Sequence, residues 1–312
     1  LTEMGALGPL IAAGGRLHQS GCMGCIGMGQ APATNTISIR TMPRNFPGRS
    51  GTLDDQVYLC SPETAIASAI TGKITDPRDL ELEMNFIYPK WKEPTQIKIN
   101  KKLLIAPTEA SSELLKGPNI KTLPDFEELQ DVLEIPILLK MGDDISTDGI
   151  LKAGADVLPL RSNIPELSKY AYYAIDQSFY DRAIQNQKTH TGFCVIAGEN
   201  YAQGSSREHA ALSPRYLGQK FAIAKSYARI GWQNLINFGI IPFEFKKTSD
   251  WDKLEQDDIL RIEGLRAAIK NRDSVTAIVV GKNIKIPLEY NISERQVAHI
   301  LKGGIINFVK QK

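Results

Sequence analysis

The sequence is poor in cysteine and lacks any long apolar run. Its 312 residues contain four cysteines, too few for a disulfide framework, and this usage fits a reducing compartment such as the cytoplasm or an organelle matrix. No stretch of about 18 apolar residues occurs, so we expect no transmembrane helix and no membrane partner. Residues 1–15 carry no basic segment, so we expect no signal peptide there.

Neither sign of charge is in marked excess. The chain has 37 lysines and arginines against 35 acidic residues, a net charge of +2. This balance argues against nucleic acid or an anionic membrane as a partner. The apolar fraction of 42% and the length favour an ordinary globular protein with about two domains.

The first 75 residues are typical of the end of an α/β unit. The pattern predicts a helix over Leu7–Arg16 and a strand over Thr36–Thr41. A second helix should begin with Ser61 as its N-cap and Pro62 at its first position, and should end at Gly72.

Residues 76–130 contain six prolines and little periodicity, so we interpret them as a linker. Residues 131–312 are typical of a second α/β domain. The predicted strands are 135–140, 192–197, 220–224, 240–245, 259–262, 276–280 and 284–287. The predicted helices are 166–173, 208–216, 227–238 and one beginning with a capping box at Ser293.

Cys22 and Cys25 form a Cys-x-x-Cys pair among three glycines. This spacing lets both sulfurs face one metal centre, and the glycines permit the required turn. A zinc ribbon would need a second such pair, which is absent. A thioredoxin-like pair would open a helix, which residues 27–33 do not begin. Two interpretations of the pair remain at this point. The cysteines are either two ligands of an iron–sulfur cluster or two unliganded thiols.

Arg44 and Arg49 lie five residues apart on a Pro/Gly loop behind the cysteines. The guanidinium fork matches a carboxylate and keeps its charge at any physiological pH, so the pair suits a carboxylate clamp. A solvated loop is the alternative reading.

The segment 198–209 follows an apolar strand and leads into a helix. Ser205, Ser206 and Arg207 on such a loop could bind an anion or activate a hydroxyl, because helix N-termini present unpaired N–H groups. The alternative is a plain serine N-cap. The acidic turn at 143–148 matches an EF-hand poorly, because the glutamate at position 12 is missing.

Taken in order, these motifs resemble the aconitase family of hydro-lyases. The series is Cys-x-x-Cys, Arg-Asn-Phe-x-Gly-Arg, Ser-Pro-Glu, Thr-Asp and Gly-Ser-Ser-Arg-Glu-His-Ala. The resemblance covers essentially the whole chain and is to the C-terminal half of a single-chain aconitase. It implies an α/β fold in three parts: the C-terminal part of a cluster-bearing domain (1–75), a linker (76–130) and a swivelling β/β/α domain (131–312).

The resemblance also implies a [4Fe–4S] cofactor. Cys22 and Cys25 match two of its three cysteine ligands, and the third would lie outside this chain. Cys60 and Cys194 match no ligand position, and we expect both to be small buried residues.

The remaining roles come from the same resemblance. Ser205 matches the serine that removes the substrate proton, and Asp148 matches an active-site aspartate. Arg207 matches a neighbour of the serine that binds substrate and stabilises its alkoxide. The other expected substrate-binding residues are Arg44, Arg49, Arg161 and Ser206.

The implied reaction is the interconversion of citrate and isocitrate through cis-aconitate, a step of the tricarboxylic acid cycle. Isopropylmalate and homoaconitate enzymes have an arginine close behind the Thr-Asp pair, whereas this chain has its arginine later, at Arg161. This difference favours citrate over a 2-alkylmalate. The alternatives are an isopropylmalate or homoaconitate hydratase, and an RNA-binding iron-sensing relative. We expect the partners to be a tricarboxylate and an N-terminal half, the 312 residues alone to be inactive, and the full-length protein to be monomeric.

The sequence departs from the family pattern at three places: Pro43, Gly149 and the stretch 230–233. In the family, asparagine is frequent at the position of Pro43 and histidine is usual at the position of Gly149. A more polar stretch is expected in place of residues 230–233. None of the three removes a residue that we assign to catalysis.

Overall fold

The computed structural model describes residues 1–18, 24–42, 44–85, 90, 93–95, 100–107 and 113–311. The chain folds into two compact units. The first comprises Leu1–Leu115 with Gly154–Asp156, and the second comprises Lys116–Ala153 with Val157–Lys312. The division after residue 115 falls inside the segment that we interpret as a linker.

The first unit carries five elements: α1 (Leu7–Ala12), β1 (Ile37–Arg40), β2 (Gln56–Leu59), α2 (Pro62–Thr71) and α3 (Pro77–Met84). Strands β1 and β2 pair in parallel. Helix α2 begins and ends as the sequence predicts, because Ser61 accepts a hydrogen bond from the Thr64 N–H at 3.1 Å and Gly72 adopts a left-handed φ of 74°.

Two predictions for the first unit were wrong. Helix α1 stops at Ala12 rather than Arg16, because the chain turns at Gly14, which has a φ of 88°. Helix α3 lies in a segment that we predicted to be irregular. Its start has Asp76 as the N-cap and Pro77 at the first position, a pattern that is typical of helix starts. The prediction of a linker counted this proline as a sign of irregular structure.

The second unit is built on a closed barrel of seven strands in the order β3-β4-β5-β6-β9-β8-β7. Strands β3 to β6 are parallel, and the remaining pairs are antiparallel. The strands are β3 (Leu133–Lys140), β4 (Phe193–Ala197), β5 (Gln219–Ala224), β6 (Ile241–Phe245), β7 (Ile259–Ile262), β8 (Val275–Val279) and β9 (Ile284–Glu289).

Residues of β3, β4 and β5 enter two different cores. In β4, Phe193, Val195 and Ala197 pack against one group of buried residues, whereas Cys194 and Ile196 pack against the other. All five are fully buried, which is why this strand reads as a continuous apolar run. The mixed α/β fold with a sheet-rich domain agrees with the sequence prediction.

The helices of the second unit lie between and after the strands. They are α4 (Thr147–Ile150), α5 (Ile164–Leu167), α6 (Phe179–Asn186), α7 (His209–Tyr216), α8 (Arg229–Asn237), α9 (Leu265–Asn271), α10 (Glu294–Leu301) and α11 (Ile305–Lys310). The capping box at Ser293 is present. The helix predicted over 166–173 is instead α5 and one 3₁₀ turn, because Tyr172 has a left-handed φ of 55° and the helix cannot continue through it. None of the helices in the described part of the chain has the length and apolarity that a membrane crossing needs.

Candidate functional site

The predicted serine loop leaves the carboxyl end of β4 and covers residues 198–208. It starts at Gly198, where a β-carbon would lie 1.9 Å from the Asp143 Oδ1 atom. That carboxylate oxygen accepts a hydrogen bond from the Glu199 N–H at 2.7 Å. Gly198 is therefore needed for the close approach of the Asp143 side chain to the loop.

The acidic turn after β3 supports this loop. Asp144 accepts a hydrogen bond from the Asn200 side-chain amide at 2.9 Å, and its carbonyl oxygen accepts one from Gln203 at 3.2 Å. Strands β3 and β4 are parallel neighbours, so their carboxyl ends meet at one edge of the barrel. The turn serves as a scaffold for the serine loop.

Thr147 connects the two segments at the serine itself. Its Oγ1 atom accepts hydrogen bonds from the Ser205 N–H at 3.0 Å and from Arg207 Nη2 at 3.3 Å. Its own N–H donates to the Gln203 carbonyl at 2.7 Å. Thr147 is 1% exposed, so these bonds form away from water. No role for Thr147 was predicted from the sequence, although its position next to Asp148 was a usable signal.

Arg207 makes an ion pair with Asp148 and also donates to the Leu151 carbonyl at 2.6 Å. The side chains of Arg207 and Asp148 are 18% and 16% exposed. Asp148 lies on α4, whose first turn is capped by the Ser146 hydroxyl. The structure thus brings together three residues that the sequence predicts to be functional: Ser205, Arg207 and Asp148.

Ser205 has a fixed backbone and an available hydroxyl. The residue is half-buried, and no partner among the described residues forms a hydrogen bond with its Oγ atom. Ser206 is exposed, and its carbonyl accepts a bond from Asn234 at 3.3 Å. Helix α7 begins at His209, one residue after the predicted start, and its N-cap is Glu208. Neither serine is therefore the N-cap.

Helix α8 packs against the loop at Gly231. A β-carbon there would lie 2.4 Å from the Ala202 β-carbon and 2.6 Å from its carbonyl oxygen. Ala202 itself has a left-handed φ of 62°. The unusual stretch 230–233 therefore contributes a contact that only glycine permits.

Arg161 is exposed and lies at the end of a 3₁₀ turn. Its carbonyl oxygen is 3.0 Å from the His209 Nε2 atom at the start of α7. The structure therefore ties the backbone of Arg161 to the end of the serine loop.

In the first unit, Arg49 is directed at Cys25. Its Nη1 atom donates to the Cys25 carbonyl at 2.7 Å, and its Nη2 atom lies 3.6 Å from the Cys25 sulfur. Arg49 is 4% exposed. The two loops approach closely at Gly27, where a β-carbon would lie 2.0 Å from the Ser50 carbonyl oxygen.

This environment suits a thiolate ligand. A guanidinium donor stabilises negative charge on sulfur, and thiolates are the ligands of iron–sulfur clusters. Cys25 therefore fits the predicted cluster. Cys22 and Pro43 lie outside the described residues, and within the described ranges no group of three or more cysteine, histidine or acidic side chains could hold a metal. Arg44 is half-buried on the same loop as Arg49.

The other two cysteines differ in burial. Cys194 is fully buried in the barrel, as expected, and burial raises the pKa of its thiol well above the ordinary value. Cys60 is only half-buried, so the expectation of a buried residue was wrong there. Its sulfur lies 3.8 Å from the Arg40 carbonyl at the end of β1.

Two family models match this chain. Residues 1–72 match the aconitase family (aconitate hydratase), and residues 160–248 match the aconitase C-terminal domain. The chain is similar to a solved 3-isopropylmalate dehydratase of Methanocaldococcus jannaschii, at 29% identity and a TM-score of 0.46, over 58% of this chain and 94% of that one.

Several curated proteins are similar over nearly the whole chain. A putative mitochondrial aconitate hydratase of Emericella nidulans is 28% identical over 96% of this chain, and the mitochondrial aconitate hydratase of Candida albicans is 27% identical over 96%. The mitochondrial homoaconitase of Mycosarcoma maydis is 30% identical over 78%. The matched parts are 43%, 44% and 33% of those relatives, so the chain spans less than half their length. On these matches, the chain belongs to the aconitase family.

Proposed function

We propose that this chain carries the base-bearing part of an aconitate hydratase that interconverts citrate and isocitrate through cis-aconitate. The observation that carries this proposal is the environment of Ser205. Its backbone is held by Thr147, its hydroxyl is available, and the ion pair of Arg207 and Asp148 lies beside it. The proposed swivelling domain is the second unit.

In this proposal Ser205 acts as the base. The proton to be removed lies on a carbon next to a carboxylate and is weakly acidic, so the serine must react as its alkoxide. N–H donors and positive charge stabilise such an oxyanion, and Arg207 supplies charge within the loop. Asp148 and the Leu151 carbonyl hold the guanidinium of Arg207 in place.

Arginines are the proposed ligands of the substrate carboxylates. Arg44 on the cysteine-proximal loop and the exposed Arg161 are the proposed carboxylate ligands, together with Ser206. Arg49 shares this assignment from the family resemblance, but its contacts with Cys25 indicate that it also holds the cysteine loop.

Cys22 and Cys25 are the proposed ligands of a [4Fe–4S] cluster in this chain. When bound, that cluster would supply Lewis-acid iron toward the substrate hydroxyl. The third ligand would come from the part of the family protein that this chain does not match. The first unit supports such a partner, because apolar side chains on β1, β2 and α2 are exposed: Ile37, Tyr58, Leu59, Ile66 and Ile70.

The mitochondrial names of the relatives favour an organelle matrix as the location rather than the cytoplasm. Homoaconitate is the alternative substrate, since a homoaconitase is among the relatives. The near-neutral charge gives no support to RNA binding, which a gel shift at several salt concentrations would test.

The test is an assay of a full-length protein containing this chain, reconstituted anaerobically with iron and sulfide. We expect turnover of citrate and cis-aconitate in preference to homoaconitate and isopropylmalate. Ser205→Ala should lower kcat by a factor of about 10² to 10⁴ with the iron content unchanged. Ser162→Ala, at an exposed serine outside the loop, is the matched control.

Two results would contradict the proposal. Unchanged kcat in Ser205→Ala would remove the base assignment, and a preference for homoaconitate would select the alternative substrate. Turnover of citrate by the 312 residues alone would contradict the expectation that a further part is required.

A further inference from the structure

A polar cavity lies at the end of the barrel opposite the serine loop. It has a volume of about 340 Å³, within the range of small-molecule sites. Its walls are the segment 124–127, the turn 190–192 that precedes β4, and the junction 215–220 between α7 and β5. Because β4 has five residues, this cavity is about 16 Å along the strand from the loop that begins at Gly198.

Two buried cations line the cavity. Arg215 is 6% exposed and Lys220 is 7% exposed. Both side chains have pKa values that burial lowers, which reflects the cost of keeping two positive charges away from water. Such charges are normally matched by anions in the folded protein.

The protein supplies a directly paired anion for only one of the two buried cations. Lys220 pairs with the Glu127 carboxylate at 2.9 Å. Arg215 donates instead to two backbone carbonyls, those of Glu127 at 3.1 Å and Gln219 at 3.4 Å. Its Nε atom has no hydrogen-bond partner, and across the described residues no carboxylate oxygen lies within 4 Å of its guanidinium. The face of the Phe126 ring lies 5.2 Å from the guanidinium carbon.

The other titratable groups of the lining are His190, Tyr216 and Asp125. Asp125 is on the rim, with its carboxylate 82% exposed and paired with Lys310. Water therefore screens its charge, whereas the charge of Arg215 is enclosed. Among the residues that the structure describes, Glu127 is the one remaining lining carboxylate and acts on both buried cations, so the enclosed part of the cavity keeps an excess of positive charge.

The burial of the Arg215 guanidinium is not needed to hold the segment 124–127 in place. That segment is held independently by Asn307, which donates to the Phe126 carbonyl at 2.6 Å. The residues directly after it are held by a backbone bond from the Leu129 N–H to the Leu301 carbonyl at 3.2 Å. A simple apolar or polar neutral residue at position 215 would avoid the burial cost of the guanidinium.

We propose that this cavity is a binding site for a small oxyanion, a carboxylate or phosphate group held by Arg215 and Lys220. The planar guanidinium and the ammonium, which has donors beyond its bond to Glu127, are the residue types that bind both groups. This site is separate from the proposed catalytic loop and does not depend on its function.

The test is isothermal titration calorimetry of the 312-residue chain with inorganic phosphate and with acetate, in chloride at constant ionic strength. We expect saturable binding of one equivalent of at least one of the two probes. Comparing the probes decides between a phosphate and a carboxylate ligand. No saturable binding of either would overturn the proposal.

Variants locate the binding. Thr191→Asp places a carboxylate on the exposed wall of the cavity without removing an anchoring bond, and it should weaken binding by about tenfold or more. Thr191→Asn has nearly the same shape without the charge and should bind like the parent. Equal binding by the Asp and Asn variants would contradict the site.

Arg215→Gln should abolish binding. Because Arg215 is buried, the Arg215→Gln variant must first be shown to unfold at the same temperature as the parent protein. If it does not, the comparison of Thr191→Asp with Thr191→Asn decides the outcome.

Discussion

The guanidinium of Arg207 donates a hydrogen bond to the carboxylate of Asp148, across 59 residues of sequence. Each residue lies on a segment that follows a parallel strand of the barrel, and Thr147 sits between them with bonds to Arg207 and to the Ser205 backbone. The proposed base is therefore placed by contacts between its own loop and the first two residues of α4, Thr147 and Asp148.

Asp148→Asn should destabilise the second unit by about 2 kcal/mol, because it leaves a largely buried guanidinium without its anion. The value is below that of a fully buried pair, since both side chains keep some exposure. The measurement is urea denaturation followed by tryptophan fluorescence. Glu166→Gln is the control, because it breaks an exposed pair with Lys169 and should cost less than about 1 kcal/mol. Equal effects of the two substitutions would show that the Arg207 pair is not structurally important.

Thr147→Val should lower the free energy of unfolding by about 1–3 kcal/mol. The substitution keeps the shape of the side chain but removes the acceptor of two hydrogen bonds, leaving the Ser205 N–H without its partner in a partly buried place. Thr147→Ser keeps the hydroxyl and should recover most of the loss. Backbone amide exchange at Ser205 reports the bond directly. Protection of that amide in Thr147→Val would contradict the assignment.

Gly231→Ala should cost about 1–3 kcal/mol, because the new methyl group would overlap the β-carbon and carbonyl oxygen of Ala202. Relief of this overlap requires α8 or the serine loop to move. Gly142→Ala is the matched control, since a β-carbon there has no neighbour within 4 Å. The measurement is the same denaturation experiment, and equal stability of the two variants would refute the proposed tight contact.

Cys194 should resist thiol reagents in the folded protein, because it is fully buried and its pKa is raised by burial. Labelling by a maleimide at pH 8, read by mass spectrometry of peptides, should modify it only after addition of denaturant. The half-buried Cys60 should react faster and serves as the internal reference. Labelling of Cys194 at the rate of Cys60 would show that the barrel opens readily.

The same pKa shift has a consequence for stability at alkaline pH. Above the ordinary thiol pKa of about 8.5, the unfolded chain loses a proton that the folded chain keeps. Stability should therefore fall as pH rises from that value toward the raised pKa of Cys194, and Cys194→Ala should remove this contribution. An unchanged slope in the variant would contradict it.

Much of the fold could be predicted from local patterns. Strands β3, β4 and β5 were apparent because each is a largely apolar run whose residues enter two cores. The start of α2 was apparent because Ser61 and Pro62 are local signals. The break at Tyr172 was missed, since nothing in the neighbouring residues requires its left-handed conformation.

By itself, the sequence determined the fold class, the cysteine pair and the Ser205–Arg207 motif, because these depend on residues within a few positions of each other. Only the tertiary structure decided the role of Thr147, the burial of Arg49 against Cys25 and the cationic cavity at Arg215. Each of these depends on contacts between segments that are separated in sequence. In the second unit the barrel brings such segments together through its strand order, and in the first unit two loops meet at Gly27 and Ser50. Local periodicity encodes neither arrangement.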